Sequence, residues 1–315
     1  MIRTVLGDIP GDALGATDYH EHLFQTSPLL PGDDLDDERA SGAEAASLRD
    51  SGFAAMVDAT PLGLGRDPEA IARISAATGL RVVATTGRHR EAHYPETHPV
   101  RGLRGERLIR RLVADIADGM PADEAAPDTP AQAPDGAPVR AGLLKAGTDY
   151  WRISPFEHDT LEAVAAAHRE TGVPVMVHLE FCTAAQEVLD LLESGGVAAH
   201  RVVLAHADRD PDPVLHVELA ARGAYLGYDG CARPRTRSDA ELVALTERVI
   251  AAGAGDRVVL GGDVARRTRY LSYGGMPGLR YLGERYVPRL RAALGDGVVT
   301  GILVHNPARL LTLGR

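Results

Sequence analysis

Eight short runs of β-branched and other apolar residues recur along the chain, near residues 14–20, 53–59, 81–86, 140–145, 173–178, 201–206, 223–228 and 257–262. Several are apolar almost without interruption, as in Val-Pro-Val-Met-Val at 173–177 and Arg-Val-Val-Leu at 201–204. Strands read this way when both faces are buried, which is the condition of a parallel sheet. Ala-rich stretches with helical spacing lie between them. Residues 68–78 carry Ile71, Ile74 and Ala77 before Gly79. Residues 156–171 carry Leu161, Val164, Ala165 and His168 before Gly172, and 238–253 carry Leu242, Leu245, Val249 and Ile250 up to Gly253. Apolar residues on one helical face with glycine as the stop are the mark of a helix laid on a sheet. Strand then helix, eight times over, predicts a (β/α)₈ TIM barrel, a single α/β domain over residues 1–315.

Two stretches carry their own expectations. Residues 119–138 are crowded with Pro, Ala, Asp and Glu, which predicts a mobile surface insertion before the fourth strand. Asn306-Pro307 reads as a helix cap followed by proline at the first helical position.

Charge and composition remove several classes of function. A net charge of −10 argues against binding nucleic acid, which needs a basic surface. No run approaches the roughly 20 apolar residues of a membrane span, so no membrane partner is expected. The start of the chain lacks the apolar core of a signal peptide, and a cytoplasmic location is the expectation. The two cysteines, Cys182 and Cys231, are too few for a disulfide scaffold and form no Cys-x-x-Cys pair, so both read as buried free thiols.

The chemistry lies where the apolar runs end. His20 and His22 close the first run and are two residues apart, so a strand turns both imidazoles to one face. Lys145 closes the fourth run, His178 the fifth, His206 the sixth, and Asp263 follows Leu-Gly-Gly after the eighth. Carboxy-terminal strand ends of such a barrel meet at one mouth, where barrel active sites lie. Each residue alone has a plainer reading. The histidines could be hydrogen-bonded core residues, Asp263 could cap the next helix, and Lys145 could pair with Asp263. Repeated along the chain, with residue types that bind zinc, they point to a two-metal hydrolase. Asp18, Glu21 and Asp208 flank these positions, either orienting them or carrying surface charge.

The ordered motifs resemble the phosphotriesterase family of the amidohydrolase superfamily. They are His-Glu-His-Leu at 20–23, Lys-Ala-Gly-Thr at 145–148, His178, Ala-His-Ala-Asp at 205–208, Gly-Gly-Asp at 261–263 and the tail Ile-Leu-Val-His-Asn-Pro-Ala-Arg-Leu-Leu at 302–311. The resemblance implies two divalent ions, zinc by default. His20, His22 and Asp263 would hold the more buried ion, and His178 and His206 the more exposed one. Lys145, carboxylated on its amine, would bridge both together with a hydroxide. Asp263 would also be the catalytic residue that accepts the hydroxide's proton. A homodimer is the family expectation for assembly.

The implied reaction is hydrolysis of a small-molecule ester: a phosphotriester, a lactone or a carboxylic ester. The alternatives are a related enzyme cleaving another bond such as an amide, or a metal-binding barrel without catalysis. Deaminases of the superfamily usually lack the bridging lysine, so Lys145 argues against that branch. The loops supply candidate substrate residues: His89 and Tyr94 after the third run, Tyr228 and Arg233 after the seventh, Arg266 after the eighth. Several arginines at one mouth could grip a carboxylate or phosphate. The chain also departs from its family. Lactonases of the family typically place a tyrosine very soon after the third-strand glycine, whereas Arg88 and His89 follow Gly87 here and Tyr94 comes later. An ester with a charged arm is therefore the preferred expectation.

Overall fold

The computed structural model describes residues 1–314. An antiparallel hairpin, β1 (Ile2–Thr4) and β2 (Gly7–Ile9), precedes eight parallel strands: β3 (Thr17–Glu21), β4 (Ala55–Asp58), β5 (Arg81–Gly87), β6 (Leu143–Thr148), β7 (Val175–Leu179), β8 (Val202–Ala205), β9 (Tyr225–Tyr228) and β10 (Val258–Leu260). Each pairs with the next in sequence order. The ring is nearly closed: β10 comes back against β3, where the Asp263 amide donates to the His20 carbonyl at 2.9 Å. The eightfold rhythm of the sequence is therefore a barrel.

Helices wrap this ring: α1 (Glu38–Asp50), α2 (Pro68–Thr78), α3 (Glu106–Ala117), α4 (Pro155–Thr171), α5 (Ala185–Ser194), α6 (Pro213–Ala221), α7 (Asp239–Ala251) and α8 (Val287–Leu294). Their ends follow local chemistry. Asp67 caps α2 with Pro68 at its first turn, and Ser154 with Glu157, like Ser238 with Glu241, forms a reciprocal capping box. Gly79 and Gly172 stop α2 and α4 in the left-handed conformation that residues with a Cβ resist.

Side-chain alternation splits the core in two. Ala55, Val57, Val83, Leu143, Met176, Val203, Tyr225 and Val259 fill the barrel interior, and Ile2, Leu14, Leu310 and Leu311 join them. The terminal segments thus close the end of the barrel opposite its mouth. Met56, Val82, Leu144, Val177, Leu204, Leu226 and Leu260 point the other way, into the layer beneath the helices.

Three expectations need revision. Asn306 caps no helix, because α9 (Asp296–Thr300), a π turn over Gly301–His305 and α10 (Asn306–Leu311) run on continuously. The Asn306 amide instead donates to the carbonyls of Gly255 (2.9 Å) and Val258 (2.6 Å), fixing the start of β10. The insertion 119–138 lies at the surface but is tied down: Glu124 accepts from Arg66 (2.6 Å) and from the Gly63 amide (2.7 Å). Asp18, Glu21 and Asp208 are not surface charge; all three are buried.

Candidate metal centre

The apolar strands deliver their last residues to one cavity of about 190 Å³ at the barrel mouth. His20, His22, His178, His206 and Asp263 all line it. An irregularity in the β3–β4 register between Asp18 and Glu21 shifts the phase of the strand. Tyr19 can then join the barrel interior while His20 and His22 face the mouth. His206 sits one residue beyond inward-facing Ala205, and a left-handed backbone (φ 64°) swings it inward as well.

The four imidazoles are organised as ligands have to be. His20 Nδ1 lies 3.1 Å from Asp229, His22 Nδ1 2.7 Å from Thr60 Oγ1, His178 Nε2 3.0 Å from Glu180 and His206 Nδ1 2.7 Å from Asp229. With these nitrogens engaged, His20 Nε2, His22 Nε2, His178 Nδ1 and His206 Nε2 turn toward one another. His178 Nδ1 and His206 Nε2 are 2.8 Å apart. His22 Nε2 and His20 Nε2 lie 3.7 and 3.9 Å from Asp263 Oδ1. Ligand atoms of His20, His22 and Asp263 all fall within 4.8 Å of one another, as do those of His20, His206 and Asp229.

Electrostatics point the same way. Burial holds all four imidazoles below their usual pKa, His206 at about 3, so their lone pairs are free at neutral pH. Burial alone would raise the Asp263 carboxyl, but Arg233 at 2.7 Å and the nearby histidines hold it below its usual range. Lys145 is fully buried, and burial draws its ammonium down to about 8. Its Nζ lies 3.3 Å from His20 Nε2 and 3.0 Å from Met176 Sδ, and among the described residues no carboxylate comes within 4.0 Å of it. The plain Lys145–Asp263 ion pair is therefore not formed. Asp263 caps no helix either.

The flanking acids hold the site's backbone. Asp18 accepts from the amides of His20 (3.1 Å) and Gly262 (3.3 Å), Glu21 from that of Val264 (3.0 Å), and Asp208 from those of Asp229 (3.1 Å) and Gly230 (2.7 Å). Burial raises Asp18 to about 8 and Asp208 to about 7.

The substrate candidates divide. His89, Arg233 and Arg266 line the cavity. Tyr94 and Tyr228 do not. Tyr94 is buried under its own loop, its hydroxyl donating to the Leu62 carbonyl (3.0 Å) and accepting from the His89 amide (2.9 Å). Tyr228 shares the outward phase of Leu226 and bonds His216 at 2.6 Å beneath the helices. The neighbouring residue, Asp229, has the inward phase and belongs to the centre. Strand alternation counted from Tyr225 was the signal that could have found it. Arg90, Glu180, Arg209 and Arg269 also line the cavity, and their places in irregular loops gave no periodic cue.

Compared with known proteins, residues 1–311 match the family model described as the phosphotriesterase family. The chain is 30% identical to a phospho-furanose lactonase of Mycoplasmopsis synoviae (strain 53), covering 98% of this chain and 91% of that protein. It is 31% identical to a phosphotriesterase homology protein of Mycobacterium tuberculosis (strain ATCC 25618 / H37Rv), over 98% and 97%. A crystal structure of a lactonase from Listeria monocytogenes superposes with a TM-score of 0.87 at 29% identity, over 100% of this chain and 99% of that one. No helix among the described residues is long and apolar enough to cross a membrane. Its barrel, its ring of histidines and the match along nearly its whole length agree: the chain belongs to the phosphotriesterase family.

Proposed function

We propose that this metal-dependent ester hydrolase opens a lactone, or a comparable small ester, that carries an anionic arm such as a phosphate. The observation that carries this reading is the cavity wall. Arg90, Arg209, Arg233, Arg266 and Arg269 surround the imidazoles, against the acids Glu180 and Asp263. One amino group of Arg269, buried, has no hydrogen-bond partner. A buried N–H group left without an acceptor costs roughly 1–3 kcal/mol, which a substrate phosphate or carboxylate would recover. A neutral phosphotriester would offer it only an uncharged acceptor, a partner roughly half as strong. Two relatives named phospho-furanose lactonase support the same choice.

His20, His22 and Asp263 fit one divalent ion, and His178 and His206 a second. Zinc is the natural first choice for imidazole and carboxylate donors. Lys145, its ammonium drawn down by burial to about 8 and left without a carboxylate partner, fits the bridge once carboxylated by carbon dioxide. When bound, such a pair supplies Lewis acidity and lowers the pKa of water toward about 7. The chain's own residues do the rest. Asp263 takes the proton of the attacking water, Arg233 holds that carboxylate in place, and Arg266 and Arg269 orient the anionic arm. Leu29 and Leu30 form the apolar part of the wall.

The buried thiols Cys182 and Cys231 suit a cytoplasmic setting, and we read residues 1–315 as one domain that assembles as a homodimer. The deciding experiment compares a phosphorylated furanose lactone, its dephosphorylated counterpart and a neutral phosphotriester on metal-loaded enzyme. The phosphorylated lactone should lead in kcat/KM by about 10–100-fold, as one charge-assisted contact provides. A preference for the neutral triester would overturn the reading.

A further inference from the structure

We propose that Asp229 couples the two metal positions, its single carboxylate fixing one imidazole of each so that the ions load together. The carboxylate is fully buried at the end of β9. Oδ1 accepts from His206 Nδ1 at 2.7 Å, and Oδ2 faces His20 Nδ1 at 3.1 Å and the Tyr19 hydroxyl. Its own backbone amide is held by Asp208 at 3.1 Å. The two rings it touches stand 5.0 Å apart, tilted by 34°.

An imidazole that donates from Nδ1 is locked in the tautomer whose lone pair is on Nε2, the form a metal needs. Asp229 imposes this on His20 and His206 together. The other two imidazoles have private partners: Thr60 for His22, Glu180 for His178. Among the described residues, Asp229 is the one carboxylate that accepts from a histidine of each set. With both rings on one carboxylate, holding either His20 or His206 in its ligand position would hold Asp229, and Asp229 would in turn hold the other ring ready for its own ion. The cost of ordering is met once, and linkage makes the coupling equal in both directions.

This inference rests on the assignment of His20 and His206 to different ions, and its test separates the two ideas. Metal-free wild type, Asp229→Asn, Thr60→Val and Glu180→Gln are titrated with Co²⁺, following visible absorption and metal per chain by elemental analysis. Wild type should take up two ions in one steep step. Thr60→Val and Glu180→Gln should each weaken one ion, leaving two separated steps. Asp229→Asn should weaken both, by about 10–100-fold each. Should Asp229→Asn fail to fold by circular dichroism, Tyr19→Phe serves in its place. It removes one donor to the same carboxylate, and both midpoints should move together by a smaller amount. Weakening of a single ion, or of neither, in the variant measured overturns the coupling. A wild type that binds fewer than two ions overturns the two-ion reading itself, whatever the variants do.

Discussion

The two ends of this barrel obey different rules. At the base, Ile2, Leu14, Leu310 and Leu311 close over Leu143, Val203 and Val259, all of them apolar and almost fully buried. At the mouth, every non-glycine residue described with a positive φ follows the carboxy-terminal end of a strand. These are Trp151, Phe181, Cys182, Ala184, His206, Ala232, Asp263 and Ala265. Some of the buried polar atoms without partners lie there too, on Asp18, Glu21, Asp208 and Arg269. A left-handed backbone at a residue with a Cβ costs of order 1–3 kcal/mol and persists only where its surroundings enforce it. The base holds the fold together, and the mouth spends part of that stability on placing charges and imidazoles.

This contrast sets the largest expected effect. Asp263→Asn keeps a side chain that tolerates the left-handed backbone, so the fold should stand while turnover falls at least about 100-fold. Steady-state kinetics with metal analysis and a melting curve check it. A variant that unfolds but keeps its turnover per folded molecule would erase the distinction between the ends. The reverse substitution is Leu310→Ala at the base. It removes a side chain only 1% exposed and should cost about 2–5 kcal/mol in denaturant unfolding, with kcat/KM unchanged.

The same contrast explains what the sequence made legible. Base and ring follow period-two and helical patterns, so the eight runs, the helices ending at Gly79 and Gly172, and the strand-end histidines could all be read off the chain. The mouth breaks the pattern at the places where it matters. Tyr228 and Asp229 are adjacent, and only the alternation starting at Tyr225 tells that the first faces the helices and the second the site. The loop after β5 offers Tyr94 as a substrate contact, but its hydroxyl is used by Leu62 and His89. Arg88, in the same loop, is wholly buried against Thr160, Phe156 and Asp159. Arg209, Glu180 and Arg269 owe their places to loop backbone, for which side-chain periodicity carries no signal. The bond from Glu124 to Arg66 joins residues far apart in sequence, and a composition rich in Pro and Asp could not announce it.

A third measurement sharpens the comparison through pH. His93 lies in the cavity wall, 6% exposed and bonded to Ser27 at 2.8 Å, and burial draws its pKa from 6.5 to about 3. The unfolded chain therefore binds a proton below pH 6.5 that the folded chain refuses until about pH 3. Stability contributed by keeping this ring neutral is complete above pH 6.5 and is lost as pH falls through that window, at about 1.4 kcal/mol per pH unit. His93→Gln should flatten the acid limb of the metal-free protein by as much as one proton's worth. An unchanged slope would place the acid sensitivity in other groups.

The smallest effect asks whether mouth strain is serving the substrate. Ala232 sits at φ 59°, one residue before Arg233, and its amide bonds Asp239 at 3.0 Å. Glycine removes the left-handed penalty of about 1–2 kcal/mol, while its freer unfolded chain takes back about 0.4–1. Ala232→Gly should therefore gain about 0.5–1 kcal/mol in chemical unfolding. That gain has a second consequence if the strain aims Arg233 at the cavity. A loosened turn lets the guanidinium leave Asp263, so kcat should fall for anionic and neutral esters alike while KM for either stays where it was. A stabilised variant whose kcat is unchanged for both would mean the strained turn only connects β9 to α7, and that the arginine's aim comes from its carboxylate alone.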